Sequence, residues 1–150
     1  MTTAVNRRHL LAAFGLSPLL LLRPAFAAGA EIGFDDLYGK ISVLGLEFSE
    51  KVKSLNGQDV IMAGFMAPPL KAESDFFVLT EIPMSICPFC SSDADWPDNI
   101  VVIYLGEKQT FIQSGSTIKV SGRLEVGSWT DPETGFVSLL RIRDAQYWVA

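Results

Sequence analysis

The two cysteines of the 150-residue chain stand together in Cys87-Pro88-Phe89-Cys90, inside the run MSICPFCSSDADWPD. Two thiols at this spacing can close a small disulfide, cycle as a redox pair, or supply half of a soft-metal site. A closed zinc site wants four ligands. Here Asp93 or Asp95 could join the two thiolates, or two chains could share four cysteines. Copper(I) prefers thiolate and thioether donors, and Met84 lies three residues before Cys87. Met62 and Met66, on an apolar run further upstream, read more simply as core filling. A redox enzyme would need its attacking cysteine at a helix N-terminus, where the dipole favours thiolate. Behind Cys90, however, a helix would be cut short by Pro97, and Asp93 and Asp95 would raise a thiol pKa. No βαβ pattern precedes the motif. The plain alternative is a structural disulfide. It closes so small a loop that its gain lies at the low end of about 2 to 4 kcal/mol.

What surrounds the motif narrows its setting. Residues 1–27 read as an export signal: Arg7 and Arg8 precede an apolar run from Leu10 to Leu22, and Ala25 and Ala27 form an Ala-x-Ala-type cleavage site. The run falls short of the ~20 residues of a membrane span. The paired arginines favour the twin-arginine route, which carries folded proteins, so a cysteine site could be filled before export. The expected location is the periplasm, with no stable membrane insertion once the signal is cut.

Losing Arg7, Arg8 and Arg23 would leave 9 of the 12 basic residues against 17 acidic ones, a formal charge of −8. That balance repels nucleic acid and anionic lipid headgroups. The single histidine, His9, lies in the signal segment. Residues 28–150 therefore contain no imidazole for a Ser-His-Asp triad or a Cys/His zinc site. Their length suits one domain with a modest core.

Short apolar runs punctuated by Gly, Pro, Asn and Asp predict a mainly β domain. Phe34-Asp35-Asp36 fits a helical turn followed by an extended piece. Ser49 caps a second short helix that Asn56-Gly57 stops, although the same letters suit a strand entering an Asn-Gly hairpin. Strands are expected at Val60–Met66, Phe76–Thr80, Ile100–Leu105 and Ile118–Val126. A fifth begins at Val137–Ile142 and resumes through Gln146-Tyr147-Trp148, after a hairpin loop from Gly127 to Gly135. Five strands, with Gly64 and Gly122 where a barrel would bend, predict a small Greek-key barrel of the OB type with one or two short N-terminal helical turns. A β-sandwich is the runner-up. The stretch from Glu81 to Asp98 reads as a long loop carrying both cysteines; loops of this length are usually functional or mobile. Pro83, Pro88 and Pro97 stiffen it, and Phe89 and Trp96 can pin it to the barrel. Elsewhere, Arg141, Arg143 and Asp144 read as an exposed ion-pair face, and Trp129 as a packed or rim aromatic.

The ordered pieces LNGQDVIMAGFMAPP, DFFVLTEIPMSICPFC, DNIVVIYL and IKVSGRLEVG, covering about Leu55 to Val126, resemble an uncharacterised bacterial exported domain family of unknown function. Some members are encoded near metal-uptake ABC transporters. The resemblance implies a periplasmic accessory role beside transporter components, without defining a reaction. Many relatives carry His in the cysteine loop. This chain has Cys-Pro-Phe-Cys and no His there, so a His-containing metal site does not carry over.

The expectation is thus a periplasmic, non-catalytic binding or accessory protein that handles zinc or copper(I) with an ABC transporter complex through Cys87 and Cys90, with Asp93, Asp95 and Met84 as further ligands. A thiol-disulfide oxidoreductase and an interaction module with a purely structural disulfide are the alternatives.

Overall fold

The computed structural model describes residues 29–42, 45–68, 75–84, 96–112 and 115–150. The described residues contain eight strands: β1 (Ala30–Ile32), β2 (Tyr38–Ser42), β3 (Gly45–Phe48), β4 (Asp59–Met66), β5 (Phe76–Thr80), β6 (Ile100–Leu105), β7 (Thr117–Thr130) and β8 (Val137–Val149). They also contain a 3-10 turn, Phe34–Asp36, and a short helix, α1 (Glu50–Ser54). The Ser49 hydroxyl accepts from the Val52 amide at 3.1 Å, which settles the choice between helix and hairpin in favour of the capped helix.

Six strands form a mixed sheet in the order β1-β4-β5-β6-β8-β7, and β4 also pairs with β7, so the sheet curls into a nearly closed ring. Seven residue pairs join β4 to β7, from Asp59↔Arg123 to Phe65↔Thr117. The seam between β4 and β5 is short, with only Phe65↔Thr80 and Met66↔Leu79 in register. β1 takes the β4 edge beyond that seam, pairing in parallel from Ala30↔Val60 to Ile32↔Met62. The strands expected from periodicity all appear. The extended piece expected after the Phe34–Asp36 turn is β2, whereas β1 and the pairing of β2 with β3 are too short to establish a period in the sequence.

Alternation explains which side faces in. Along β4 the even positions Val60, Met62, Gly64 and Met66 are buried while their neighbours are more exposed. With Leu79, Val101, Ile103, Ile118, Val120, Leu124, Leu140 and Ile142 they fill the ring. Leu37 and Val52 join this core from the N-terminal elements. A second cluster lies on the other face of β5 and β6, where Phe76, Val78, Ile100 and Val102 pack with Ala67 and Phe136. Burial on both faces is what the unbroken run Ile100-Val101-Val102-Ile103 predicts.

Curvature is concentrated in β8. Its pairing with β7 jumps from Arg123↔Arg143 to Ser121↔Gln146, so Gly122 faces two residues. Its pairing with β6 jumps from Ile103↔Ile142 to Leu105↔Ala145. The extra residue is a β-bulge, and Asp144 adopts a left-handed φ of 50° there. The expected break after Ile142 is this bulge within one continuous strand. A Cβ on Gly122 would lie 2.6 Å from the Arg143 carbonyl oxygen, and one on Gly64 2.8 Å from that of Thr80. Both glycines thus mark close backbone approaches.

Past the bulge, the Gln109 amide pairs with the Tyr147 backbone, accepting from its N–H and donating to its carbonyl, each at 3.1 Å. This side chain continues the ladder where β6 has ended. The β7–β8 loop is shorter than expected, because β7 runs on to Thr130. Asp131 holds it by accepting from the amides of Glu133 and Thr134 at 2.8 and 2.9 Å. Among the described residues, no helix is long and apolar enough to cross a membrane.

Candidate functional site

Cys87, Cys90, Asp93 and Asp95 lie outside the described residues, as do Phe89, Arg7, Arg8, Ala25 and Ala27. The described residues do fix the base from which the cysteine segment departs. Thr80 at the end of β5 pairs with Ile100 at the start of β6. One step further out, the Glu81 amide donates to the Asn99 carbonyl at 3.2 Å. The fully buried Thr80 hydroxyl donates to the Ile82 carbonyl at 2.7 Å and lies 3.2 Å from that of Phe65. The outgoing limb is thus tied to β4 as well as to β6.

The returning limb is held by Trp96. Its indole N–H donates to the Tyr38 hydroxyl at 2.7 Å, and its ring packs against both apolar clusters. Tyr38 stacks on Phe48 at 5.2 Å, so the β2–β3 hairpin forms part of the loop's support. Trp96, expected to pin the loop to the barrel, packs on the apolar clusters and also bonds to the β2–β3 hairpin. Trp96→Phe keeps the ring and deletes the donor. It is expected to lower unfolding free energy by about 1 kcal/mol, the usual worth of one such bond, read from the urea midpoint.

Of the thioethers, Met62 and Met66 are core side chains, 1% and 4% exposed, which leaves them unavailable to a metal without opening the ring. Met84 lies on the outgoing limb and is half-buried. Exposed Ile82 and Pro83 precede it. Among the described residues, no group of three or more His, Cys, Asp or Glu could hold a metal ion.

A second polar arrangement occupies the outer face of β6, β7 and β8, and it corrects the expected ion-pair surface. Arg141 is buried, not exposed, and its Nε donates to Glu125 Oε2 at 2.8 Å while Nη1 donates to the Gly127 carbonyl at 2.8 Å. Arg143 Nε donates to the same Glu125 oxygen at 2.8 Å. Asp144 pairs instead with Arg123. The clue was available only through strand register, which sets Glu125 opposite Arg141. The Arg143 guanidinium lies 4.2 Å from the Trp129 ring centroid and 4.9 Å from that of Tyr104, and these two rings meet edge to face. Tyr104 Oη is buried without a well-formed hydrogen bond. Burial first, then the nearby Asp131 carboxylate, pushes the Tyr104 phenol well above its ordinary pKa, so it stays neutral.

A shallow cleft of about 320 Å³ beside β1 and β4 is lined by Glu31, Asp36, Ile61, Ala63 and Lys119. Its charges are matched internally, with Lys119 3.5 Å from Glu31 and Lys51 2.8 Å from Asp36.

The class these features define is a mainly β domain with a nearly closed mixed sheet and a long segment inserted between β5 and β6. No protein-family model matches the chain, and no curated protein matches it. Among solved structures it is similar in fold to a DUF3299 family protein from Pseudomonas aeruginosa PAO1, with a TM-score of 0.54 at 12% identity over 82% of this chain and 98% of the other. At that identity the likeness is one of fold, to a domain of unknown function.

Proposed function

We propose that the chain is an exported, non-catalytic accessory domain of the periplasm that binds zinc or copper(I) through Cys87 and Cys90 and serves a membrane transporter of the ABC type. The observation that carries this reading is the fixed base of the cysteine segment, held by Thr80, Glu81, Asn99 and Trp96. Such a base lowers the ordering cost of ligating a metal on the segment it presents. Two thiolates with Asp93, Asp95 and Met84 nearby in sequence form a donor set suited to a soft or borderline cation. The strand order, with β6 parallel to β8 and β4 bridging β5 and β7, supports a five-stranded barrel of the OB type. The arginine pair and apolar run in residues 1–27 support twin-arginine export of an already folded, loaded domain.

The test is native mass spectrometry of reduced protein offered zinc or copper(I) without oxygen. The expected result is one metal per chain, or one per pair of chains, lost in the Cys87→Ser/Cys90→Ser variant. No uptake by fully reduced protein overturns the metal reading. Insulin reduction that disappears with Cys87→Ser would replace it with thiol-disulfide chemistry. Partner binding that survives in the double variant would make the cysteines a structural staple.

A further inference from the structure

We propose that Arg143 anchors a second ligand site, on the outer face of β6, β7 and β8, that takes a carboxylate carried on an aromatic or apolar body. The two arginines sharing Glu125 are used very differently. Arg141 is spent: its side chain is 8% exposed, and Nε and Nη1 serve Glu125, Gly127 and Ser138. Among the described residues Arg143 spends only Nε, on Glu125, and its side chain is 30% exposed. Its guanidinium is held through Nε by Glu125 and lies in the corner formed by the edge-to-face Trp129 and Tyr104 rings, and among the described residues no hydrogen bond engages Nη1 or Nη2. A planar fork that is held in place with two donors unspent suits bidentate recognition of a carboxylate.

Charge and surroundings favour the same ligand. One glutamate oxygen serves two guanidinium groups, which leaves the trio with one net positive charge in a chain that is acidic overall. Among the described residues Asp131 forms no ion pair with either arginine, and its carboxylate accepts from the amides of Glu133 and Thr134. Half-buried Trp129 offers ring surface beside the fork, which an apolar body can cover.

The experiment follows the Nε–Hε NMR signals of Arg143, Arg141 and Arg123 in unaltered protein titrated with benzoate, against chloride and phosphate at equal ionic strength. The expected result is saturable movement of the Arg143 signal with benzoate alone. Arg143→Lys, which keeps the charge and loses the fork, is expected to weaken binding about tenfold, read from Trp129 ring signals. The proposal is overturned if the Arg143 signal drifts linearly, if exposed Arg123 responds equally, or if phosphate acts as well as benzoate. The primary readout needs no variant, so instability of Arg143→Lys does not obscure it.

Discussion

Gly122→Ala is expected to lower the unfolding free energy by about 3 kcal/mol, the upper part of the usual range for overpacking. The methyl group would start 2.6 Å from the Arg143 carbonyl oxygen, 2.7 Å from Ile142 Cγ2 and 3.0 Å from the Ala145 Cα. Two of these three atoms are backbone, and both belong to the β8 bulge, which pairs with β6 as well as β7 and cannot retreat alone. Gly122 has no left-handed φ, so alanine would otherwise gain the few tenths to 1 kcal/mol that a stiffer unfolded chain provides. Steric conflict therefore decides the sign. Gly33→Ala is the matched control: its φ is −111°, and its new Cβ would meet nothing nearer than Asp36 Oδ2 at 3.9 Å. It is expected to be neutral or slightly stabilising. Urea titration of both variants checks the pair. A Gly122→Ala midpoint matching wild type would mean that the bulge yields easily and does not fix the ring.

The sequence revealed most where a period could accumulate. Phe76–Thr80 and Ile100–Leu105 were legible to the residue because each is a continuous apolar run between turn-forming residues. Ser49 marked the start of α1 through capping chemistry, although the same letters also suited a strand entering an Asn-Gly hairpin. The failures share a physical cause, which is pairing between residues distant in the chain. Three residues of β1 carry no alternation, and only their parallel match to Val60, Ile61 and Met62 makes them a strand. The β8 bulge resembled a strand end because Arg143-Asp144-Ala145 interrupts the apolar rhythm, whereas the backbone stays paired on either side. Of the candidate site, the sequence supplied the cysteines and Trp96 but not Tyr38, 58 positions away, which receives the indole N–H. The Arg141–Glu125–Arg143 trio was equally hidden, since charge spacing along β8 says nothing about which strand lies opposite.

Glu125→Gln is expected to cost about 2 kcal/mol at pH 7, the second large effect. Removing one partner of a buried ion pair costs about 3 to 5 kcal/mol because the other charge is left stranded, and Arg141 at 7% exposure is such a charge. Glu125 is itself 33% exposed, so solvent screens part of the loss. Replacing the arginine as well should restore part of the stability. Glu125→Gln/Arg141→Met removes the stranded charge, and an apolar side chain there can pack against Trp129, so the double variant should be more stable than Glu125→Gln alone. The pH dependence gives an independent reading. Burial works to raise the Glu125 pKa, but hydrogen bonds from Arg143 and Arg141, and then their charges, outweigh it and hold the carboxyl below its ordinary range. The folded value is thus below the unfolded one. The stabilisation is complete above the unfolded carboxyl pKa of about 4.3 and drains away as pH falls through the lower, folded value. Urea midpoints of wild type and Glu125→Gln should therefore stay apart from pH 7 down to that point and converge in stronger acid. A gap that is constant with pH would assign the loss to packing, and a gap that widens in acid would reverse the sign and refute the ion-pair account.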